Sequence, residues 1–234
     1  NRYSLENDII LNGSKINYDW MCSDAETVSE SKPLVLTNKT SGGIDIKREI
    51  SFDDKFLVTV KTTVTNNSEN RVSVRDRNTI KRKLFSNESN GTWFLNEGGI
   101  GYFGNKVIEH TYDKLKTDGK VLYNGNLDWV GFTDKYWLVC FLNKDKCDFH
   151  VSYFKESERK SKNKEDDYII FSNELLGGEN YLDSGQSIVF ERVFFIGAKD
   201  VDVLDGYENQ LNIRHLDLAL DYGWLYFITK PTLY

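Results

Sequence analysis

The chain has 234 residues, of which 28% are charged and 39% hydrophobic, and its formal net charge is -6 at pH 7. This composition is typical of a globular domain and excludes a disordered chain, and no run approaches the roughly 20 apolar residues of a membrane-spanning helix. Because an acidic surface repels the phosphate backbone, nucleic acid is also a poor match as a partner.

Four segments alternate apolar with polar residues, which predicts strands with one buried face. Their apolar positions are, in chain order, Ile16, Tyr18 and Trp20; Ile44, Ile46 and Ile50; Phe56, Val58, Val60 and Val64; and Phe149, Val151 and Tyr153. The basic run "RDRNTIKRK" at residues 75–83 is interpreted as a solvated edge or a partner surface. Pairs of turn-forming residues at 12–13, 118–119, 124–125 and 177–178 predict hairpins or loops between strands.

The segment "DWVGFTDKYWLVCFL" at residues 128–142 predicts a hairpin that enters the core. Thr133 and Asp134 suit its turn, and Gly131 allows a bulge or a close approach of another backbone. The strand that follows is continuously apolar, as are "YIIF" at 168–171 and "IVFERVFFIGA" at 188–198. These three segments are predicted to be central strands covered on both faces.

Helix is predicted only near the C-terminus. Residues 198–211 carry Val201, Leu204 and Leu211 at helical spacing, and a second short helix is expected at 223–230. The pattern as a whole predicts a mostly β protein, a large twisted antiparallel β-sandwich with C-terminal helical segments. We expect the sandwich to occupy residues 1–197 and the helical part to occupy residues 198–234.

The sequence contains no recognisable catalytic, cofactor or metal motif, and none of the three is expected. The histidines are far apart, and His150 lies on the opposite strand face from Phe149 and Val151. A sugar-binding or mutarotase-like sandwich is the alternative function, although no acid–base pair stands out. Cys140 is predicted to be a small core residue, with a bridge to Cys147 as the alternative, and Cys22 has no evident partner.

Two motifs, "GFTDKYWL" at 131–138 and "LDLALDYGWLYFITKP" at 216–231, resemble the periplasmic domain of YidC, a family of bacterial membrane-protein insertases of the Oxa/Alb group. Residues 53–68 and 197–211 are similar to further parts of that domain. The resemblance implies a β-supersandwich like that of galactose mutarotase. This domain itself would not be an enzyme, and it would lie in the periplasm at the bacterial inner membrane. It also implies transmembrane segments outside this chain.

The same resemblance implies an accessory role in the insertion and folding of inner-membrane proteins. The expected partners are the Sec translocon, SecDF and nascent membrane-protein clients, toward which the domain would act as a chaperone. Structural roles fall to the family-motif residues Gly131, Phe132, Thr133, Asp134, Lys135, Tyr136 and Trp137. Contact with the membrane surface or the insertase core is expected from Asp221, Gly223, Trp224, Leu225, Phe227, Ile228, Lys230 and Pro231, because aromatic residues favour the membrane–water interface.

Overall fold

The structure is a computed structural model that describes residues 2–23, 27–85, 97–161 and 167–220. Within these ranges strands dominate, as the alternating patterns predict. The strands are β1 (Tyr3–Leu11), β2 (Ser14–Lys15), β3 (Met21–Cys22), β4 (Leu34–Lys39), β5 (Ile44–Phe52), β6 (Leu57–Asn66), β7 (Val72–Phe85), β8 (Gly98–Phe103), β9 (Lys106–Thr111), β10 (Val121–Thr133), β11 (Trp137–Leu142), β12 (Asp148–Arg159), β13 (Tyr168–Leu176), β14 (Asn180–Leu182) and β15 (Ser187–Ala198). The helices are α1 (Tyr112–Thr117), α2 (Val201–Leu211) and a 3-10 helix (Leu216–Ala219).

The strands follow one continuous order, β2-β1-β7-β13-β12-β10-β11-β15-β6-β5-β4-β3, and every pair is antiparallel. This order folds into two sheets. The first sheet contains β2, β1, β7, β13, β12 and the start of β10, with β14 added to β7. The second sheet contains the rest of β10 and the strands from β11 to β3, with β8 and β9 added to β10.

Strand β10 belongs to both sheets. Its first part, residues 121–126, pairs with β12, and its second part pairs with β8 and β11. Gly125 has a φ of 110°, a backbone conformation that glycine adopts without steric cost, and it lies just before the change of partner. The turn expected at residues 124–125 is therefore wrong, because this glycine lies inside a strand that passes from one sheet to the other.

The main core lies between the two sheets and confirms the predicted antiparallel sandwich. Apolar residues of the predicted strand faces meet there, among them Val58, Val60, Phe149, Val151 and Tyr153. A second apolar cluster at one end of the sandwich contains Ile44, Ile46 and Val64. The period of two in the sequence thus identified the inward side of these strands correctly.

A third apolar cluster lies on the outer face of the second sheet, where α2 and the 3-10 helix cover it. Leu204, Tyr207 and Leu216 pack there against a sheet surface that includes Cys140 and Phe195. Asp200 caps α2 by accepting a hydrogen bond from the Val203 amide at 3.2 Å. A helix was expected from residue 198, but α2 begins at Val201. Ala198 is still part of β15, where it pairs with Trp137 of β11.

The segment of residues 16–20 was predicted to be a strand, and this is wrong. It is an extended strap that runs from β2, at the edge of the first sheet, to β3, at the edge of the second. Ile16 is buried, and Tyr18 and Trp20 are half-buried against the second apolar cluster. The alternation was real, but it reflects a segment that covers the gap between two sheets rather than one that joins either.

Four further expectations need correction. The basic run 75–83 is not at an edge, since β7 lies between β1 and β13. Phe56 is not on a strand face, because it precedes β6 and is exposed. The start of β13 is only half-buried, so this strand is not covered on both faces as β11 is. Finally, helix is not confined to the C-terminal region, since α1 forms at residues 112–117. This helix buries Tyr112 and Leu115.

No helix in the part of the chain that the structure describes has the length and apolar character needed to cross a membrane.

Candidate functional site

The family-motif hairpin joins β10 to β11 at one end of the sandwich. At Gly131 the two backbones are so close that a Cβ atom would lie 2.1 Å from the carbonyl oxygen of Val139. Only glycine fits this approach without moving one of the two central strands. Phe132 and Thr133 are buried beside it, and the Thr133 hydroxyl accepts a hydrogen bond from Lys199 Nζ at 3.1 Å.

Asp134 ties the hairpin turn to three other elements. Its carboxylate accepts hydrogen bonds from the Tyr3 hydroxyl at 2.7 Å, the Tyr112 hydroxyl at 3.0 Å and Arg82 Nε at 2.9 Å. Burial raises the pKa of both tyrosines well above the usual value, and the Asp134 charge adds to the effect. The carboxylate therefore holds two neutral donors and one cation, which is the arrangement of a structural anchor.

The rest of the hairpin faces solvent. Tyr136 is 64% exposed and Trp137 is 51% exposed, and Lys135 Nζ lies 4.8 Å from the centre of the Tyr136 ring. The neighbouring β5–β6 turn presents Phe52 and Phe56 in the same way. The motif thus combines a buried anchor with an exposed aromatic tip, a distinction that the sequence pattern did not reveal.

A polar layer crosses the interior of the sandwich between its apolar clusters. Arg192 of β15 donates to Asp76 of β7 at 2.6 Å, and Asn78 donates to the same carboxylate at 2.9 Å. Burial lowers the pKa of Arg192, but the hydrogen bond and charge of Asp76 outweigh it and the net shift is upward. The layer joins the two sheets through charge rather than through apolar contact.

The strap closes this layer from the side. The Arg48 guanidinium lies 4.9 Å from the Trp20 ring centre, and Trp20 stacks on Tyr18 with ring centroids 4.5 Å apart. Burial lowers the pKa of the Arg48 guanidinium. The cavity left beside the layer is about 10 Å³, which is room for a single water molecule and far below the 300 Å³ or more of typical ligand pockets.

The outer edge of β1 is open below the strap. Strand β2 covers only Ile10 and Leu11, and the strap bonds to both backbone groups of Ile9. Backbone groups of alternate residues point to the same edge, so those of Leu5 and Asn7 also face outward, and no described strand pairs with them. Leu5 and Ile50 are partly buried, and both pack against the main core. We call the edge of residues 3–7 with these two side chains the β1 slot.

The outer face of the first sheet carries several paired charges. Lys81 of β7 bonds to Glu6 and to Glu156, each at 2.9 Å, and Arg77 bonds to Asp8 at 3.0 Å. A concavity of about 270 Å³ lies on this face, lined by Ile10, Gly13, Ser73, Arg75, Arg77, Glu174, Leu176 and Glu179. The basic run therefore contributes to an accessible surface, but as the middle of a sheet rather than its edge.

Metal-binding and redox groups form no site in the described ranges. No group of three or more His, Cys, Asp or Glu side chains could hold a metal ion there. Cys22 and Cys147 are exposed, Cys140 is buried, and all three thiols are free, so the alternative bridge between Cys140 and Cys147 is wrong. Burial raises the pKa of the Cys140 thiol, as expected for a core cysteine. His150 is exposed, as its strand face predicted.

The residues expected to contact the membrane or insertase core lie outside the described residues. They are Asp221, Gly223, Trp224, Leu225, Phe227, Ile228, Lys230 and Pro231, and the second predicted helix at 223–230 lies there too. The chain leading to them is fixed to the second sheet. Trp129 Nε1 donates to the carbonyl oxygens of Arg214 and His215, and Arg214 Nη2 pairs with Asp128 at 2.8 Å.

The described strands define a large antiparallel β-sandwich whose second sheet is covered on its outer face by α2 and the 3-10 helix. Residues 10–234 match the family described as YidC periplasmic domain, and the chain belongs to that family. The family is a component of insertases and not an enzyme.

Two relatives illustrate the extent of the match. The chain is 31% identical over 239 residues to the membrane protein insertase YidC of Rickettsia conorii, covering 100% of this chain and 41% of the relative. It is 31% identical over 219 residues to the membrane protein insertase YidC of Methylobacterium sp. strain 4-46, covering 89% of this chain and 34% of the relative. The chain thus spans well under half the length of these relatives.

Solved structures confirm the fold. A galactose mutarotase-like protein from Lactobacillus casei superposes with a TM-score of 0.51 at 9% identity, over 81% of this chain and 84% of that chain. A GH36 α-galactosidase from Geobacillus stearothermophilus gives a TM-score of 0.51 at 11% identity, over 88% of this chain and 32% of that chain. At such low identity the likeness concerns the sandwich alone and transfers no sugar chemistry.

Proposed function

We propose that this domain is the periplasmic accessory module of an insertase in the bacterial inner membrane, and that it binds nascent membrane-protein clients in the manner of a chaperone. One observation carries the proposal: in a domain of this family, the described cavity between the sheets is only about 10 Å³, while no described strand pairs with the outward edge of β1 at residues 3–7. Bound molecules must then be held on the outside. The mutarotase-like alternative would need a cavity for a sugar, and the described cavity beside the polar layer is too small for one.

The β1 slot suits an extended client segment. An added strand would pair with the outward backbone groups of Leu5 and Asn7, which supplies affinity without dependence on sequence. Its alternate side chains would cover Leu5 and Ile50, which are partly exposed at the rim of the core. Segments of membrane proteins that await insertion are rich in such apolar side chains, so the slot matches the chemistry of these clients.

The test compares lysine substitutions on two edge strands. Leu5→Lys leaves the hydrogen bonds between β1 and β7 in place, because the Leu5 amide faces the open edge, but it puts a charge in the slot. We expect a fluorescent extended peptide of alternating apolar and polar residues to bind this variant about tenfold more weakly in an anisotropy titration. Val107→Lys, a substitution of a residue 38% exposed on β9, should leave binding unchanged.

Melting curves of both variants establish that each retains the fold. If Leu5→Lys is folded and binds the peptide as tightly as the unsubstituted chain, the β1 slot is not the client site. Equal weakening by Val107→Lys would likewise show that binding is not confined to the slot.

We also propose that the domain contacts the Sec translocon and SecDF, and that the charged outer face of the first sheet is the surface involved. The support is that this face is accessible and concave and carries both signs of charge around Arg75 and Glu179. Reversing both charges in the full-length insertase, as Arg75→Glu with Glu179→Lys, should reduce copurification of these partners. Retention of both partners at the unsubstituted level would rule out this face.

A further inference from the structure

The two ends of the sandwich differ in what their turns expose. Of the five exposed aromatic side chains in the described ranges, four lie at one end: Phe52, Phe56, Tyr136 and Trp137, with exposed fractions of 44% to 64%. The fifth, Tyr181, lies at the other end, where the turns at residues 12–13, 40–43, 67–71 and 183–186 are polar or contain glycine. We call the four residues the aromatic end.

Backbone hydrogen bonds place the two aromatic turns on either side of the end of β15. The Ile196 amide donates to the carbonyl oxygen of Phe56 at 3.0 Å, and the Lys199 amide donates to that of Tyr136 at 2.9 Å. The β5–β6 and β10–β11 turns therefore extend in the same direction from the second sheet. All four aromatic residues therefore lie at the end of the second sheet opposite the polar turns.

Both turns are held firmly, so the exposure of their rings is built into the fold. Asp134 anchors the β10–β11 turn through its three hydrogen bonds. In the β5–β6 turn, Asp53 Oδ1 accepts from the amides of Lys55 and Leu57 at 2.9 and 2.7 Å. Phe56 has a φ of 74°, which is unfavourable for a residue with a side chain, and its ring is 49% exposed while one edge contacts Phe195 at a centroid distance of 6.4 Å.

We propose that the aromatic end rests on a membrane surface, with Tyr136 and Trp137 placed among anionic lipid headgroups. Tryptophan and tyrosine favour this depth because an apolar ring and a polar tip are both accommodated there. Lys55 and Lys135 are exposed beside the rings and complement negative headgroups. Because the chain has a net charge of -6, its attraction to such headgroups must come from local features such as these rings and lysines.

The proposal rests on membership of a family found in membrane protein insertases, which keeps the domain near a bilayer, and not on the client-binding role of the β1 slot. It is also separate from the contact expected of the C-terminal residues 221–231. Failure of the β1 slot test would therefore leave the aromatic end untouched, and the reverse also holds.

The test is cosedimentation of the chain with vesicles of phosphatidylethanolamine and phosphatidylglycerol. Tyr136→Ser combined with Trp137→Ser should weaken vesicle binding about tenfold or more. The matched control is Tyr181→Ser, which removes a ring 54% exposed at the polar end and should leave binding unchanged. A Trp224→Ala, Phe227→Ala variant separates the two contacts, because binding that depends on Tyr136 and Trp137 should persist in it.

Three outcomes would overturn the proposal. The first is that the chain fails to bind the vesicles. The second is that the Tyr136→Ser, Trp137→Ser variant binds them as well as the unsubstituted chain. The third is that the Tyr181→Ser control loses as much binding as the Tyr136→Ser, Trp137→Ser variant. A fourth is loss of partner proteins from the full-length insertase carrying Tyr136→Ser and Trp137→Ser while its vesicle binding is unchanged. That result would make the aromatic end a protein interface.

Discussion

Replacing Asp134 by alanine should lower the free energy of unfolding by about 3–4 kcal/mol, the cost of breaking a largely buried ion pair from one side. The substitution removes the carboxylate 2.9 Å from the buried Arg82 guanidinium and the acceptor of two tyrosine hydroxyls. For a chain of this length, the loss corresponds to a fall of roughly 10 °C in melting temperature. Thermal unfolding followed by circular dichroism measures it directly.

Two neighbouring substitutions test the cause of that loss. Asp134→Asn keeps an acceptor oxygen for the tyrosines but removes the charge opposite Arg82, so it should be less destabilising than alanine. Lys135→Ala alters the next residue, which is exposed, and should change stability by no more than about 0.5 kcal/mol. If Asp134→Ala and the unsubstituted chain have the same melting temperature, the Asp134 anchor contributes nothing to stability.

The fold could be predicted from sequence because its signal is local. Alternation of apolar residues in segments such as 44–50 and 149–153 reports directly which side of a strand is buried. The errors occurred where local pattern and tertiary position diverge. The strap at 16–20 alternates without joining a sheet, and Gly125 marks a bend within β10 rather than a turn.

The polar layer was missed although its signal is present in the sequence. Val72 and Val74 face inward from β7, and continuing their period of two makes Asp76, Asn78 and Arg82 inward as well. The basic character of the run hid this, because charged residues are almost never buried unless paired. Their partners lie far along the chain, with Arg192 placed 116 residues after Asp76. One sequence contains no information about such a pairing.

The candidate site was only partly accessible to sequence reasoning for the same reason. The motif 131–137 was recognised as a unit, yet its division into a buried anchor and an exposed tip depends on Tyr3, 131 residues from Asp134. The aromatic end depends on two hairpin turns meeting the same end of β15. The β1 slot is defined by where β2 stops pairing, which the backbone alone determines.

Replacing Arg192 by methionine should be the most damaging single change in the polar layer, at about 3–5 kcal/mol. The guanidinium is buried, it bonds to Asp76 at 2.6 Å, and the rings of Phe149 and Phe190 flank it at 5.2 and 5.6 Å. Methionine fills similar volume but leaves the Asp76 carboxylate between the sheets without its cation. Urea unfolding with a constant m-value gives the loss.

The decisive measurement is the double variant. Asp76→Leu with Arg192→Met removes both charges together, and buried ion pairs replaced by apolar residues of similar size are often neutral in stability. The free energy of unfolding of the double variant should therefore lie within about 2 kcal/mol of that of the unsubstituted chain. The double variant should thus be more stable than either single variant. The exposed Lys47–Glu49 pair, 2.9 Å apart, is the control and should show a coupling of only about 0.2–1 kcal/mol. Losses that simply add in the double variant would mean that Asp76 and Arg192 stabilise the sandwich independently of each other.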